Sequence, residues 1–377
     1  MRTWLRRLGT LLLFLLVGLC FAPSLIPPFL DRIYYEGPRS EHFDGERFFN
    51  PTPGPASAAH GGPARYFNRF IGSNERAQWP EQVPVTPTVP PRRIDGGEML
   101  VTWIGHATVL VQTQGLNILT DPIWSERASP FSFVGPRRVR APGIRFEDLP
   151  KIDLVLVSHN HYDHMDLPTL KRLWARDRPA IVTSLGNERI LRDAGIEATP
   201  LDWDRVATLT GAGIDVSSVI RCDPDAFCRD DRAVVAVIRN HHWSSRWGTD
   251  RNRALWSAFA VLTPRGRIFF AGDTGWGDGG WADEAAKWGP FRLAILPIGA
   301  YLPRDVMQAN HMDPDEAVRA FEKLKPAMAL GVHWGTFQLT FEAIDDPPRR
   351  LVAARRARGI SADRFVATEV GKTIRVP

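Results

Sequence analysis

The chain has 377 residues, with 47 lysines and arginines against 42 aspartates and glutamates, for a formal net charge of +5. Hydrophobic residues at 44% and charged residues at 24% exclude a mostly disordered chain and leave ample material for a sizeable core. No basic block or interleaved aromatic stripe marks a nucleic-acid binder, so nucleic acid is not an expected partner.

In chain order, Arg6 and Arg7 precede an uncharged stretch from Leu8 to Ile26, broken by Pro23. That layout predicts a signal anchor or signal peptide over residues 1–30, with the remainder exported, to the periplasmic side in a bacterium. A cleaved secreted form or a lipoprotein form at Cys20 are the alternatives, although Leu19 is bulky for a lipoprotein box. Residues 31–98 are punctuated by proline and glycine and read as an irregular arm. Phe49, Tyr66, Phe67, Phe70 and Trp79 are expected to hold that arm against the domain that follows, residues 99–377.

Within the domain, β-rich runs are Leu100–Ile104, Thr108–Gln112, Leu116–Thr120, Leu154–Val157, Ala180–Thr183 and Val206–Leu209. The later ones are Ile214–Val219, Val234–Arg239, Trp256–Leu262, Arg267–Phe270, Leu293–Leu296 and Ala327–Val332. Helical patterns fit Leu167–Arg176, Asn187–Ala194, Trp281–Trp288, Pro314–Lys323 and Pro348–Arg358, and Asp313 before Pro314 is a good N-terminal cap. This order predicts an α/β sandwich, two sheets with helices outside. Cys222 and Cys228 bracket a turn-like stretch; they close a disulfide in an oxidising compartment and stay free thiols in cytosol.

The strongest chemical signal is Ser158-His159-Asn160-His161-Tyr162-Asp163-His164, which follows the apolar run Leu154–Val157. Imidazole and carboxylate are the donors that zinc accepts, and four of them within six positions are hard to explain as surface or core residues. The His-x-His pair can converge on one metal while Asp163 and His164 turn toward a second. His242, Asp273 and His333 each end another apolar run, and a carboxylate at Asp273 can bridge two cations.

With those residues in place the sequence resembles the metallo-β-lactamase superfamily. Within it, Trp103-Ile-Gly-His-Ala-Thr-Val-Leu-Val111, Thr120-Asp-Pro-Ile-Trp-Ser125 and Ser129-Pro-Phe with Gly135-Pro-Arg-Arg138 resemble the N-acylphosphatidylethanolamine-hydrolysing phospholipase D family. So do Phe270-Ala-Gly-Asp-Thr-Gly275, Leu296-Pro-Ile-Gly-Ala-Tyr301, His311-Met-Asp-Pro-Asp-Glu-Ala317 and His333-Trp-Gly-Thr-Phe337. The resemblance implies an αββα sandwich of two mixed sheets. It places His159, His161 and His242 on one zinc ion, and Asp163, His164 and His333 on a second. Asp273 would bridge the two, and Asp121 would orient ligands by hydrogen bonding.

His311 matches a family histidine near the substrate phosphate, a candidate for transition-state stabilisation or leaving-group protonation. His106 reads as a supporting or core residue, and His241 as a neighbour of the ligand His242. The implied activity is cleavage of a phospholipid phosphodiester by a metal-bridged hydroxide, releasing N-acylethanolamine and phosphatidic acid. Expected partners are the phospholipid, a membrane reached through the N-terminus, and a second copy of the chain in a homodimer.

Trp124, Trp243, Trp247, Trp276, Trp281 and Trp334 line an apolar entrance or fill core. Arg137, Arg138, Arg140 and Arg145 form a headgroup-binding cluster or a solvated face. Competing functions are a lactone or small-phosphoester hydrolase of the same fold, or a non-catalytic metal-binding envelope protein. A β-lactamase is disfavoured by aspartate at the bridging position, and a nuclease by the short spacing between the later ligands.

Overall fold

The computed structural model describes residues 4, 7–18, 31–52, 75–210, 213–217 and 233–377. One sheet takes the strands β1 (Met99–Gly105), β2 (Thr108–Thr113), β3 (Leu116–Thr120), β4 (Leu154–Val157), β5 (Ala180–Ser184), β6 (Thr199–Leu201) and, from the C-terminus, β15 (Thr373–Arg375). The other takes β7 (Val206–Thr210), β8 (Gly213–Ser217), β9 (Ala233–Ile238), β10 (Ala258–Thr263), β11 (Gly266–Phe270), β12 (Leu293–Pro297), β13 (Met328–Val332) and β14 (Phe365–Val366). Their orders are β15-β1-β2-β3-β4-β5-β6 and β14-β13-β12-β11-β10-β9-β7-β8.

Both sheets are mixed, as expected. β1, β2 and β3 pair antiparallel, then β3 to β6 pair parallel. β9, β10 and β11 pair antiparallel, then β11 to β14 pair parallel. It follows that β1, β3 and β4 share one direction in their sheet, as β9, β11, β12 and β13 do in theirs.

Side-chain alternation explains the two-layer burial of these strands. Leu154 and Leu156 of β4 join Phe259, Phe270 and Ile295 in the core between the sheets. Val155 and Val157 point the other way, onto Leu170 and Leu173 of helix α1 (Leu167–Asp177). In β12, Leu293 and Ile295 face the inter-sheet core, whereas Ala294 and Leu296 pack with helix residues such as Ala317 and Phe321.

The remaining helices are α2 (Asn187–Asp193), α3 (Gly280–Ala286), α4 (Arg304–Met307), α5 (Pro314–Leu324) and α6 (Asp346–Ala357). α5 starts in a capping box: the Glu316 amide donates to Asp313 at 2.9 Å and the Asp313 amide donates to Glu316 at 3.1 Å. The sequence pattern missed β6, β14, β15 and α4. Each is four residues or fewer, too short for a period of 2 or 3.6 to register.

The described parts of 31–98 penetrate further than an adhering arm. Phe43 and Phe48 are each 1% exposed inside the inter-sheet core. Tyr35 packs beside both, with ring centroids 5.0 and 5.3 Å away. Residues 7–18 are helical, with Leu11 to Leu16 exposed. Among the described residues no helix is long and apolar enough to cross a membrane, so the anchor read over 1–30 has no support there. Cys20, Cys222 and Cys228, with Tyr66, Phe67 and Phe70, lie outside the described residues.

Candidate metal centre

Strand direction assembles the site. β1 leads to His106, β3 to Asp121, β4 to the His159–His164 segment, β9 to His242, β11 to Asp273 and β13 to His333. Because these strands run together within each sheet, their ends form one rim of the sandwich. Two glycines let the rim close tightly. A Cβ on Gly272, at φ +60°, would lie 2.7 Å from Ser158 Cβ, and one on Gly299 would lie 2.1 Å from the His333 carbonyl oxygen. Asn240 ties β9 to β11 by donating to the carbonyls of Ala271 (2.8 Å) and Asp273 (2.9 Å).

The rim brings together all seven residues expected to hold metal. In the first cluster His161 Nδ1 lies 2.8 Å from His159 Nε2 and 3.4 Å from His242 Nε2. Hydrogen bonds behind the rings decide which nitrogens face inward. His242 Nδ1 donates to the Asn310 carbonyl at 2.9 Å, which leaves Nε2 toward the cluster. Ser158 Oγ donates to Asp121 at 2.6 Å, so it accepts from His159 Nδ1 at 2.9 Å and again leaves Nε2 inward. His159 and His242 thus turn accepting nitrogens to one point, where His161 Nδ1 meets them as a hydrogen-bond donor or, with a cation between them, as a third ligand. His161 Nε2 and Asp273 Oδ1 are buried without a hydrogen-bond partner among the described residues.

The second cluster is built on carboxylates. Asp273 Oδ2 is 3.1 Å from both His164 Nε2 and His333 Nε2, and 3.9 Å from His242 Nε2, so a single oxygen faces both clusters. Asp163 Oδ2 is 2.8 Å from His106 Nε2, 3.3 Å from His164 Nε2 and 3.6 Å from His333 Nε2. His106 thus holds Asp163 in place and borders the cluster, a contact that its sequence position alone did not reveal. His164 Nδ1 donates to Asp121 Oδ2 at 2.7 Å, the orienting role expected of that carboxylate.

Electrostatics call for positive charge at this point. Burial disfavours the ionised carboxylates, yet His164 and the surrounding imidazole N–H groups hold Asp163 and Asp273 well below the usual range. Burial likewise opposes charge on the histidines, but the two aspartates lift His164 well above the usual value and His333 to about 9. The first cluster behaves in the opposite way. Burial drives His159 and His242 well down, and His161 to about 3, so these rings stay neutral, as metal ligands must. Both clusters fit divalent cations: neutral nitrogens converge in one, and two anionic carboxylates await charge compensation in the other.

His311 enters the rim from the turn before α5, with Nδ1 3.9 Å from Asp273 Oδ2 and buried without a hydrogen-bond partner among the described residues. Burial lowers its pKa to about 4. His241 joins neither cluster, its ring lying beside Gly277. The tryptophans divide. Trp243 packs on His161 at 4.2 Å between centroids and Trp247 is 37% exposed nearby, whereas Trp281 is buried against Phe269, and Trp334 stacks on Trp103 at 4.9 Å. Trp124 packs on Phe146, and Trp276 packs against the helix-side core.

The four arginines do not form one face. Arg138 is buried and donates to the carbonyls of Ser125, Arg140 and Ile123, and Arg140 lies over Trp334. Arg145 pairs with Asp148, and Arg137 is exposed beside Glu126. Sequence reasoning missed Asn50, whose amide donates to the His242 carbonyl at 2.9 Å, and Glu342, which accepts from the amides of Ala300 (2.6 Å) and Leu302 (3.1 Å). Nothing local to either residue signals these contacts.

Residues 116–334 match the sequence profile described as "Beta-lactamase superfamily domain". N-acyl-phosphatidylethanolamine-hydrolyzing phospholipase D 1 of Caenorhabditis elegans is 37% identical over 284 residues, spanning 73% of this chain and 75% of that protein. The mitochondrial N-acyl-phosphatidylethanolamine-hydrolyzing phospholipase D of Saccharomyces cerevisiae is 30% identical over 276 residues, 72% of this chain and 55% of that protein. Among solved structures, the isothiocyanate hydrolase from Delia radicum gut bacteria aligns with a TM-score of 0.54 at 19% identity, covering 73% of this chain and 98% of that one. The diiron β-hydroxylase CmlA of Streptomyces venezuelae aligns with a TM-score of 0.51 at 20% identity, covering 74% of this chain and 55% of that one. At such identities the structural likeness is one of fold.

Proposed function

The chain belongs to the metallo-β-lactamase superfamily of metal-dependent hydrolases, and from that premise we propose that it cleaves a phosphodiester bond in a phospholipid headgroup with two zinc ions. The observation that carries the dinuclear reading is Asp273 Oδ2, which faces His164 and His333 at 3.1 Å and His242 at 3.9 Å. Identity to two phospholipases D of this substrate class supports the lipid headgroup. His159, His161, His242 and Asp273 would hold one ion, and Asp163, His164, His333 and Asp273 the other. When bound, the pair supplies an activated water and neutralises charge on the phosphoryl oxygens.

The chain's own residues do the rest. Asp121 and Ser158 fix the rotamers of His164 and His159. Asn310 fixes His242, and His106 fixes Asp163. His311 is uncharged at neutral pH, because burial holds it near 4. That favours donation of a hydrogen bond to a phosphoryl oxygen over delivery of a proton to the leaving oxygen, since a proton is scarce on such a ring. N-terminal membrane attachment, export and a homodimer belong to the same proposal.

The test uses the full chain loaded with zinc and offered N-acylphosphatidylethanolamine, a simple phosphodiester and a set of lactones, with products read by mass spectrometry. Phosphatidic acid and N-acylethanolamine formed by the intact chain and lost in Asp273→Asn support the proposal. Turnover of lactones alone at two zinc ions per chain retains the centre and overturns the lipid substrate.

A further inference from the structure

The segment from Ser129 to Gly135 carries three large apolar side chains into solvent: Phe131 is 48% exposed, Phe133 79% and Val134 50%. Their exposure is built in. The stem pairs Arg127 with Arg137, and the Ala128 amide donates to Pro136 at 3.0 Å, the Arg138 amide to Glu126 at 2.9 Å, and Arg127 Nη1 to Gly135 at 2.6 Å. These bonds close the loop at its stem and leave its tip in solvent. Phe131 and Phe133 pack on each other, with ring centroids 5.5 Å apart.

The tip's position is as informative as its exposure. Ser129 and Pro130 line a cleft of about 370 Å³ with Tyr162 and Trp247. Tyr162 lies between the metal-binding residues His161 and Asp163, so the apolar tip stands beside the ligand loop. Cations outnumber anions around it: Arg127 and Arg137 flank the stem beside Glu126, and Arg32, Lys171 and Arg246 line the cleft with Asp166 and Asp193. Exposed aromatic and branched side chains with an excess of arginine and lysine around them suit an interface of anionic headgroups over acyl chains.

We propose that the Ser129–Gly135 loop inserts Phe131, Phe133 and Val134 into the surface of a bilayer containing anionic phospholipid, seating the metal centre at the lipid interface. The inference deepens the phospholipid reading and rests on it for its purpose, but its test is independent of turnover. Full-length Phe133→Trp is mixed with phosphatidylcholine vesicles containing phosphatidylglycerol, with and without brominated acyl chains, and the wild-type emission is subtracted. The added indole is expected to shift to the blue and to be quenched by the brominated chains.

An unquenched indole overturns the proposal even when the chain sediments with the vesicles, because another segment then holds it there. Phe131→Ser/Phe133→Ser, changed only at exposed positions, is run in sedimentation velocity without lipid. An unchanged mass supports the lipid surface as occupant, and loss of a wild-type dimer identifies the loop as an interface between copies and overturns it. A quenched indole without phospholipid turnover leaves the docking intact and refutes the substrate.

Discussion

Asp121→Asn tests whether the orienting carboxylate, and not merely the ligand set, makes the metal centre. Asp121 Oδ1 accepts from the Ser158 amide at 2.7 Å, and Oδ2 accepts from Ser158 Oγ at 2.6 Å and from His164 Nδ1 at 2.7 Å. An asparagine has the same shape and tolerates the positive φ of 29° at this position. It has only one accepting atom. With that oxygen toward the Ser158 amide, its NH₂ opposes His164 Nδ1–H and drives the ring's hydrogen onto Nε2, the nitrogen that must face the metal. In the reverse orientation a buried Ser158 N–H loses its acceptor, at a cost of about 1–3 kcal/mol.

Loss of such an outer hydrogen bond weakens metal binding by about 10- to 100-fold, or roughly 1.4–2.7 kcal/mol. The assay is competition with a chromogenic zinc chelator that resolves two equivalents per chain. The equivalent on the His164 side should weaken, and the His159, His161 and His242 side with it, because the same NH₂ takes the acceptor from Ser158 Oγ, which fixes His159 Nδ1. Both equivalents binding within twofold of wild type, with an unchanged melting temperature, would refute the reasoning.

Three further outcomes are expected. Zinc at a hundredfold excess over its dissociation constant stabilises by about 2.7 kcal/mol, so calorimetry should place the chelated chain about 3 °C or more below the loaded one; coincident melting would contradict zinc binding at these clusters. In the chelated chain, Asp273 and Asp163 raise His333 to about 9, above its unfolded value near 6.5. The raised value stabilises the folded chain fully below 6.5, fades as pH climbs and is gone above 9. Melting of the chelated chain should therefore fall across that window, and zinc affinity should rise across it as binding displaces the proton. A flat profile in both would rule this linkage out. His311→Ala should lower kcat about 10²- to 10³-fold while zinc stoichiometry holds; wild-type turnover would remove His311 from the reaction.

Much of this protein was written locally. Leu154–Val157 announces a strand buried on both faces, and the histidines after it can only be loop residues at that strand's end. Asp273 and His333 carried the same signature, an apolar run followed at once by a metal donor, and the side-chain alternation of 2 is a property of the chain itself. Other relations exist only between segments far apart in sequence. That His106 grips Asp163 at 2.8 Å follows from the turn after β1 meeting the end of β4. That Asn50 bonds the His242 carbonyl follows from an arm rich in proline reaching the second sheet.

Arg138 and Arg137 are neighbours of identical chemistry. One is buried on three carbonyls and the other lies in solvent, a difference that backbone groups from Ser125, Ile123 and Arg140 decide. The tryptophans divide for the same reason. Residue type and period settled which atoms could bind a metal. Strand direction and pairing across two sheets settled which of them converge, because a period repeats along the chain and a rim is made where distant strand ends meet.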